Sequence, residues 1–179
     1  MTFIEFPGWQ PGMEITEERA NSSALVGRTV FMATRDTSQS IPSGSDSVAN
    51  ALVWEGIGLD LLGGWSAGQP SRWTAPMSGW YVLEGAVSFN GAAGGTVREG
   101  VWYLNGALQA YGRARTYTTT AIAASPLTVE ARTMPILLSA GNYIQLVPAH
   151  NFANPDPAPL NTATGSFRPY MSVIYAGPA

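Results

Sequence analysis

From Arg28 onward the apolar residues fall in short runs, some alternating with polar residues, and Gly, Pro, Asn and Ser separate the runs. A period of two rich in β-branched and aromatic residues marks strands, because successive side chains of an extended chain point to opposite faces. The pattern predicts strands near Thr29–Thr34, Ser47–Trp54, Ser71–Thr74, Gly79–Phe89, Val97–Leu104, Leu108–Arg115, Leu127–Leu138, Tyr143–Pro148 and Arg168–Tyr175. Within Gly79–Phe89, alternation puts Tyr81, Leu83, Val87 and Phe89 on one face as expected core, with Glu84 and Ser88 opposite. Asn105 and Gly106 separate two such runs, and both tolerate the positive φ that a type I′ hairpin turn needs. Ala140, Gly141 and Asn142 join another pair. Many short strands with turns between them predict an all-β fold, a sandwich of two antiparallel sheets.

The opening of the chain has a different texture. Phe3, Phe6, Pro7, Gly8, Trp9, Pro11 and Gly12 precede a short helical pattern from Ile15 to Val26. Thr16 is placed to cap it, Glu17 and Glu18 sit where the helix dipole favours anions, and Gly27 can stop it in a left-handed conformation. A helix of about three turns is marginal alone in water, so this segment is expected to dock on something. The division is therefore an N-terminal arm with a short helix over residues 1–27 and a β domain over residues 28–179.

Two connections are polar and rich in Gly or Pro, Gly91–Gly95 and Asn151–Gly165, and are expected to be surface loops. The second is the better binding candidate, because its prolines lower the entropy cost of presenting Phe152, Asn154 and Asn161; an inert or subunit-contacting loop fits the same composition. Six tryptophans serve either as core and interface anchors or as a sugar-stacking platform. Trp65, in a Gly-rich stretch, is the platform candidate.

Composition narrows the chemistry. Charged residues make up 12% of the chain, half the usual ~25%, so Ser, Thr, Asn, Gln and Gly must build much of the surface, which suits a protein held in an assembly. A net charge of −3, with nine scattered arginines and no lysine, argues against nucleic acid, since phosphate neutralisation needs clustered basic side chains. There is no cysteine, which removes disulfides and thiolate chemistry. No apolar stretch approaches the ~18 residues of a membrane span, and the opening residues lack the basic start and apolar run of a signal peptide.

Catalytic chemistry is sparse. His150 is the sole histidine, with Asp156 the nearest carboxylate in sequence, and no Gly-x-Ser-x-Gly elbow accompanies them. Glu84, Glu99 and Glu130, all on predicted strands, are the carboxylates from which a glycosidase pair could be assembled, with Arg98, Arg113, Arg115 and Arg132 as alternative partners. Asp36, Asp46, Asp60 and Asp156 are too dispersed for a calcium loop. The expectation is a non-enzyme without metal or cofactor.

The order of motifs resembles the trimeric jelly rolls of the complement globular-head and tumour-necrosis-factor-like group. Arg72–Phe89, RWTAPMSGWYVLEGAVSF, is similar to that group's Thr-x-Pro-x-x-Gly-x-Tyr signature, matched here by Thr74, Pro76, Gly79 and Tyr81. Val101–Gly106, Leu137–Leu146 and Ser166–Tyr175 resemble its Asn-Gly hairpin, its Leu-x-x-Gly-Asp-x-Val-x-Leu strand pair and its closing strand. Asn142 stands where the group usually has Asp, and in place of a collagen-like stalk stands Trp9–Asn21, WQPGMEITEERAN. That opening is similar to the N-termini of tailed-bacteriophage virion proteins. The resemblance implies a jelly-roll homotrimer located on a virion. Phe3, Phe6, Trp9 and Ile15 would anchor it to other virion proteins, and its loops would meet a host cell-surface glycan. A tail-tip or fibre component leads this reading. A capsid decoration protein or head fibre of the same fold is the alternative, and a glycan-binding module or glycan-active enzyme comes last.

Overall fold

Where alternation is cleanest, burial follows it: strand Gly79–Phe89 buries Tyr81, Leu83, Val87 and Phe89 as one face. The computed structural model describes residues 24–120, 122–153 and 156–179. Among them the strands are β1 Arg28–Thr34, β2 Ser40–Ile41, β3 Gly56–Asp60, β4 Trp73–Thr74, β5 Gly79–Phe89, β6 Val97–Leu104, β7 Ala107–Tyr117, β8 Leu127–Arg132, β9 Ile136–Leu138, β10 Tyr143–His150, β11 Leu160–Asn161 and β12 Tyr170–Gly177. One sheet has the order β3-β1-β12-β5-β8, with β9 also paired to β5; a second has the order β4-β10-β6-β7; β11 and β2 form a small ribbon. The ladders are antiparallel, which gives the predicted two-sheet sandwich.

The core between the sheets is aromatic. Phe31, Trp73, Tyr81 and Tyr175 form a chain of contacts with ring centroids 6.1, 5.7 and 5.3 Å apart, largely edge-on, the geometry that ring quadrupoles favour. Trp102 crosses the gap, its indole N–H donating to the Ala131 carbonyl at 3.1 Å. Glycines make room for that ring: a Cβ at Gly112 would lie 2.9 Å from Trp102 Cβ, and one at Gly85 would lie 3.2 Å from its Cζ2. The hairpin after β6 turns as predicted, with Asn105 at φ 51 and Gly106 at φ 78.

Several expectations need correction. Ser47–Trp54 is not a strand: Ser47 accepts from the Ala49 N–H and starts a 3₁₀ turn over Val48–Asn50, after which the chain has no regular structure until β3. Leu127–Leu138 is two strands, because Pro135 has no N–H for the ladder and Thr133 Oγ1 accepts the Leu83 N–H instead. β2, β3 and β11 were invisible to periodicity, being too short or, in β3, interrupted by Gly58. Ser88 does point away from the core but is buried, hydrogen-bonded to Thr128 and covered where Ala163 bonds back to it. The Asn151–Gly165 connection is no free surface loop, since Phe152, Leu160, Thr162 and Ala163 are buried and β11 pairs with β2. The helical anchor expected over Ile15–Val26 falls outside the described residues except at its end. Among the described residues, Ala24 and Leu25 are helical, and Gly27 turns the chain at φ 77, donating its N–H to the Tyr175 carbonyl.

Candidate functional site

The residues singled out as ligand contacts do not converge. Trp65 is half-buried, bridged to Trp73, with its indole N–H on the Pro70 carbonyl at 3.3 Å. Phe152, only 8% exposed, is a core residue and offers no face to a ligand. Asn161 is exposed in β11, while Asn154 lies outside the described residues. Trp73 pairs with Ile144 at the start of β10, whereas Phe152 follows its end, so the Trp65 and Phe152 regions are roughly 20 Å apart at ~3.3 Å per strand residue. Phe3, Phe6, Trp9 and Ile15 also lie outside the described residues.

Two of the three strand glutamates take arginine partners, while Glu130, exposed on β8, pairs with none among the described residues. Glu84 on β5 faces Arg132 on β8 at 3.1 Å. Glu99, 3% exposed, is held by Arg113 at 2.8 Å and by Arg115. Arg113 also reaches Asp46 at 2.9 Å, and the Tyr103 hydroxyl donates to Asp46 at 2.5 Å. Burial opposes ionisation of Asp46, but the bonds from Tyr103 and Arg113 outweigh it and hold the carboxyl below its ordinary range. Burial, then the Asp46 carboxylate, push Tyr103 up to about 12. Among the described residues, no group of His, Asp and Glu has metal-holding geometry.

A different surface stands out. On the first sheet, residues that alternate away from the core form rows across the strands: Met32, Ser172, Glu84 and Arg132 in one, Ile174 and Val82 in the next, Trp80 and Leu137 in a third. Met32 is 46% exposed, Trp80 42%, Leu137 49% and Tyr170, nearby on β12, 39%. Nothing in the protomer's described residues covers this face. Beside it, between β1 and β3, a pocket of about 270 Å³ is lined by Met32, Ala33, Thr34, Gly56, Ile57 and Gly58. The signal for this surface was in the sequence, in stretches that lack polar alternation: Trp80 to Leu83, Ile136 to Leu138 and Val173 to Tyr175. A strand apolar on both faces has a second surface to bury.

No family model matches the chain. No curated protein matches it either. Solved structures do match in architecture. Eiger TNF from S. frugiperda superposes with a TM-score of 0.58 at 7% identity, covering 84% of this chain and 94% of that one. Murine APRIL at pH 5.0 gives 0.56 at 12% identity, covering 82% and 98%. The fold is tumour-necrosis-factor-like. At these identities the likeness speaks for the fold alone; in this chain Thr74–Tyr81 runs from β4 into β5, Asn105–Gly106 joins β6 to β7, and β12 closes the described strands.

Proposed function

We propose that this chain is a non-enzymatic structural protein of a bacteriophage virion, a homotrimer of jelly rolls at the tail tip or fibre that meets the host surface through its loops. The observation that carries the assembly is the outer face of the first sheet, where Met32, Trp80, Leu137 and Tyr170 are exposed around the Glu84–Arg132 pair. Contiguous exposed apolar surface is costly in a soluble monomer and is the usual sign of an interface, with aromatic residues as its anchors. A chain with 12% charged residues has little to keep such faces apart. The tumour-necrosis-factor-like fold supports the threefold form, and the likeness of Trp9–Asn21 to phage virion N-termini supports the location. A trimer gains at attachment, because weak sites that are linked add avidity without new contacts.

The test is light scattering of the purified chain, followed by assembly on the particle. A mass about three times 18.9 kDa supports the trimer, and a single-chain mass at micromolar concentration removes it. Virions carrying a chain without residues 1–26 are expected to lack the protein. Virions lacking the protein altogether should adsorb poorly to host cells; unchanged adsorption with fragile heads would move the same trimer to the capsid as a decoration protein.

A further inference from the structure

The chain's only histidine is buried to 1% exposure and both its ring nitrogens are committed. Nδ1 of His150 accepts the Phe152 N–H at 3.0 Å, so it carries no proton. The proton sits on Nε2, which donates to the Ile41 carbonyl at 2.8 Å. One neutral tautomer thereby joins three pieces of chain: the end of β10, Phe152 two residues beyond it and the strap from Ile41 to Asp46. The strap is also pinned by the Gly44 N–H on the His150 carbonyl at 2.8 Å.

The surroundings are wrong for a second proton. Phe89 from β5 and Phe152 pack edge-on against the imidazole, with centroids 5.6 and 6.5 Å away. From β6 comes the guanidinium of Arg98, 1% exposed, lying over the same two phenyl rings at 5.8 and 6.0 Å. It donates to the Val97 and Gly94 carbonyls and takes part in no carboxylate pair among the described residues. β2 and β11 bring Ser40, Ile41, Leu160 and Asn161, none ionisable. The strap's one carboxylate, Asp46, is turned to Tyr103 and Arg113.

We propose that His150 is an acid latch: a proton taken from solvent onto Nδ1 removes the acceptor of the Phe152 N–H, sets two donors face to face and drives the charged ring out of its apolar site beside Arg98, so that the Nε2 bond to Ile41 breaks as well and Phe152 and the Ile41–Gly44 end of the strap are freed. Burial first, and the Arg98 charge as well, hold the folded-state pKa of His150 below its ordinary value of 6.5, though the Ile41 bond pulls the other way. The latch is therefore closed above the unfolded pKa, and its stabilisation is lost as pH falls below about 6.5, levelling off beneath the folded pKa. Asp46 stays ionised well below that, so the strap remains tethered to Arg113 and the opening is local.

The experiment is amide hydrogen exchange on the full chain without a histidine tag, at about pH 7.5 and pH 5, corrected for intrinsic rates. Gly44 and Phe152 amides should exchange at least tenfold faster in acid, while Val173 in the core does not change. In His150→Gln, which keeps a side-chain N–H but cannot titrate, the acid response should vanish. Equal protection of Gly44 and Phe152 at both pH values overturns the latch, as does an acid response retained by the Gln variant. Should that variant fail to fold, NMR titration of the wild-type ring decides. A midpoint below 6.5 that coincides with the onset of exchange upholds the latch, and a midpoint at or above 6.5 sinks it.

Discussion

The two sheets turn very different backs to the outside. Behind the second sheet, Val101, Val147 and Ala149 alternate away from the main core, yet all are buried. The chain itself covers them: the stretch after Ile41 bonds to β10 through Gly44 and Leu52, packs its Val48–Asn50 turn on that strand, and sends Asp46 over to Tyr103 on β6 and Arg113 on β7. Behind the first sheet no such strap runs among the described residues, and Met32, Trp80, Leu137 and Tyr170 are exposed. One face is completed by the described chain itself, with buried ion pairs; the other is the face at which the proposed trimer would meet.

Breaking the bare face should have the largest effect. Trp80→Arg puts a charge where the proposal needs an apolar contact; at ~2 kcal/mol or more per protomer for an aromatic anchor, the light-scattering mass should fall from three chains to one while unfolding stays cooperative. A mass of three chains in that variant would mean that the subunits meet elsewhere. The covered face should respond in the opposite way. Glu99→Gln leaves Arg115 without its counter-charge and Arg113 with Asp46 alone, and should cost about 2 kcal/mol in denaturant unfolding, discounted because both guanidinia are partly in water, with the mass unchanged.

Next comes acid. The Asp46 carboxyl is held below its unfolded value, so its contribution is present above about pH 4 and is lost as pH falls through the folded pKa; Asp46→Asn should flatten that limb of a stability–pH curve. The smallest effect belongs to Tyr111, 82% exposed at φ 60 beside the irregularity in the β6–β7 ladder. Left-handed backbone strains an aromatic residue, and Tyr111→Asn should raise stability by about 0.5 kcal/mol, read as a rise in Tm.

Legibility tracked how local each cause was. The hairpin at Asn105–Gly106 and the core face of β5 could be read because turn chemistry and a period of two act within a few residues. Ser47–Trp54 misled because its apolar residues suit a strap packed on β10 as well as they suit a strand, and periodicity does not distinguish the two. Phe152 misled for a related reason: a Pro-rich, polar neighbourhood suggests exposure, but the place of Phe152 beside His150 and Arg98 depends on strands far away in sequence. The glutamates were correctly placed on strands, and arginine partners were foreseen as a class; which arginine meets which glutamate depended on register.

By itself, then, the sequence determined the all-β class, most of the strands, the tight turn and the order of motifs that marks the jelly roll, because backbone sterics and side-chain alternation are properties of neighbours along the chain. Only the tertiary structure decided which apolar face is covered and which is bare, that His150 is a neutral tie between strap and strand, and that Glu99 is buried under two guanidinia. Those outcomes rest on pairing between distant segments, where a shift of one residue in register turns every side chain to the other face.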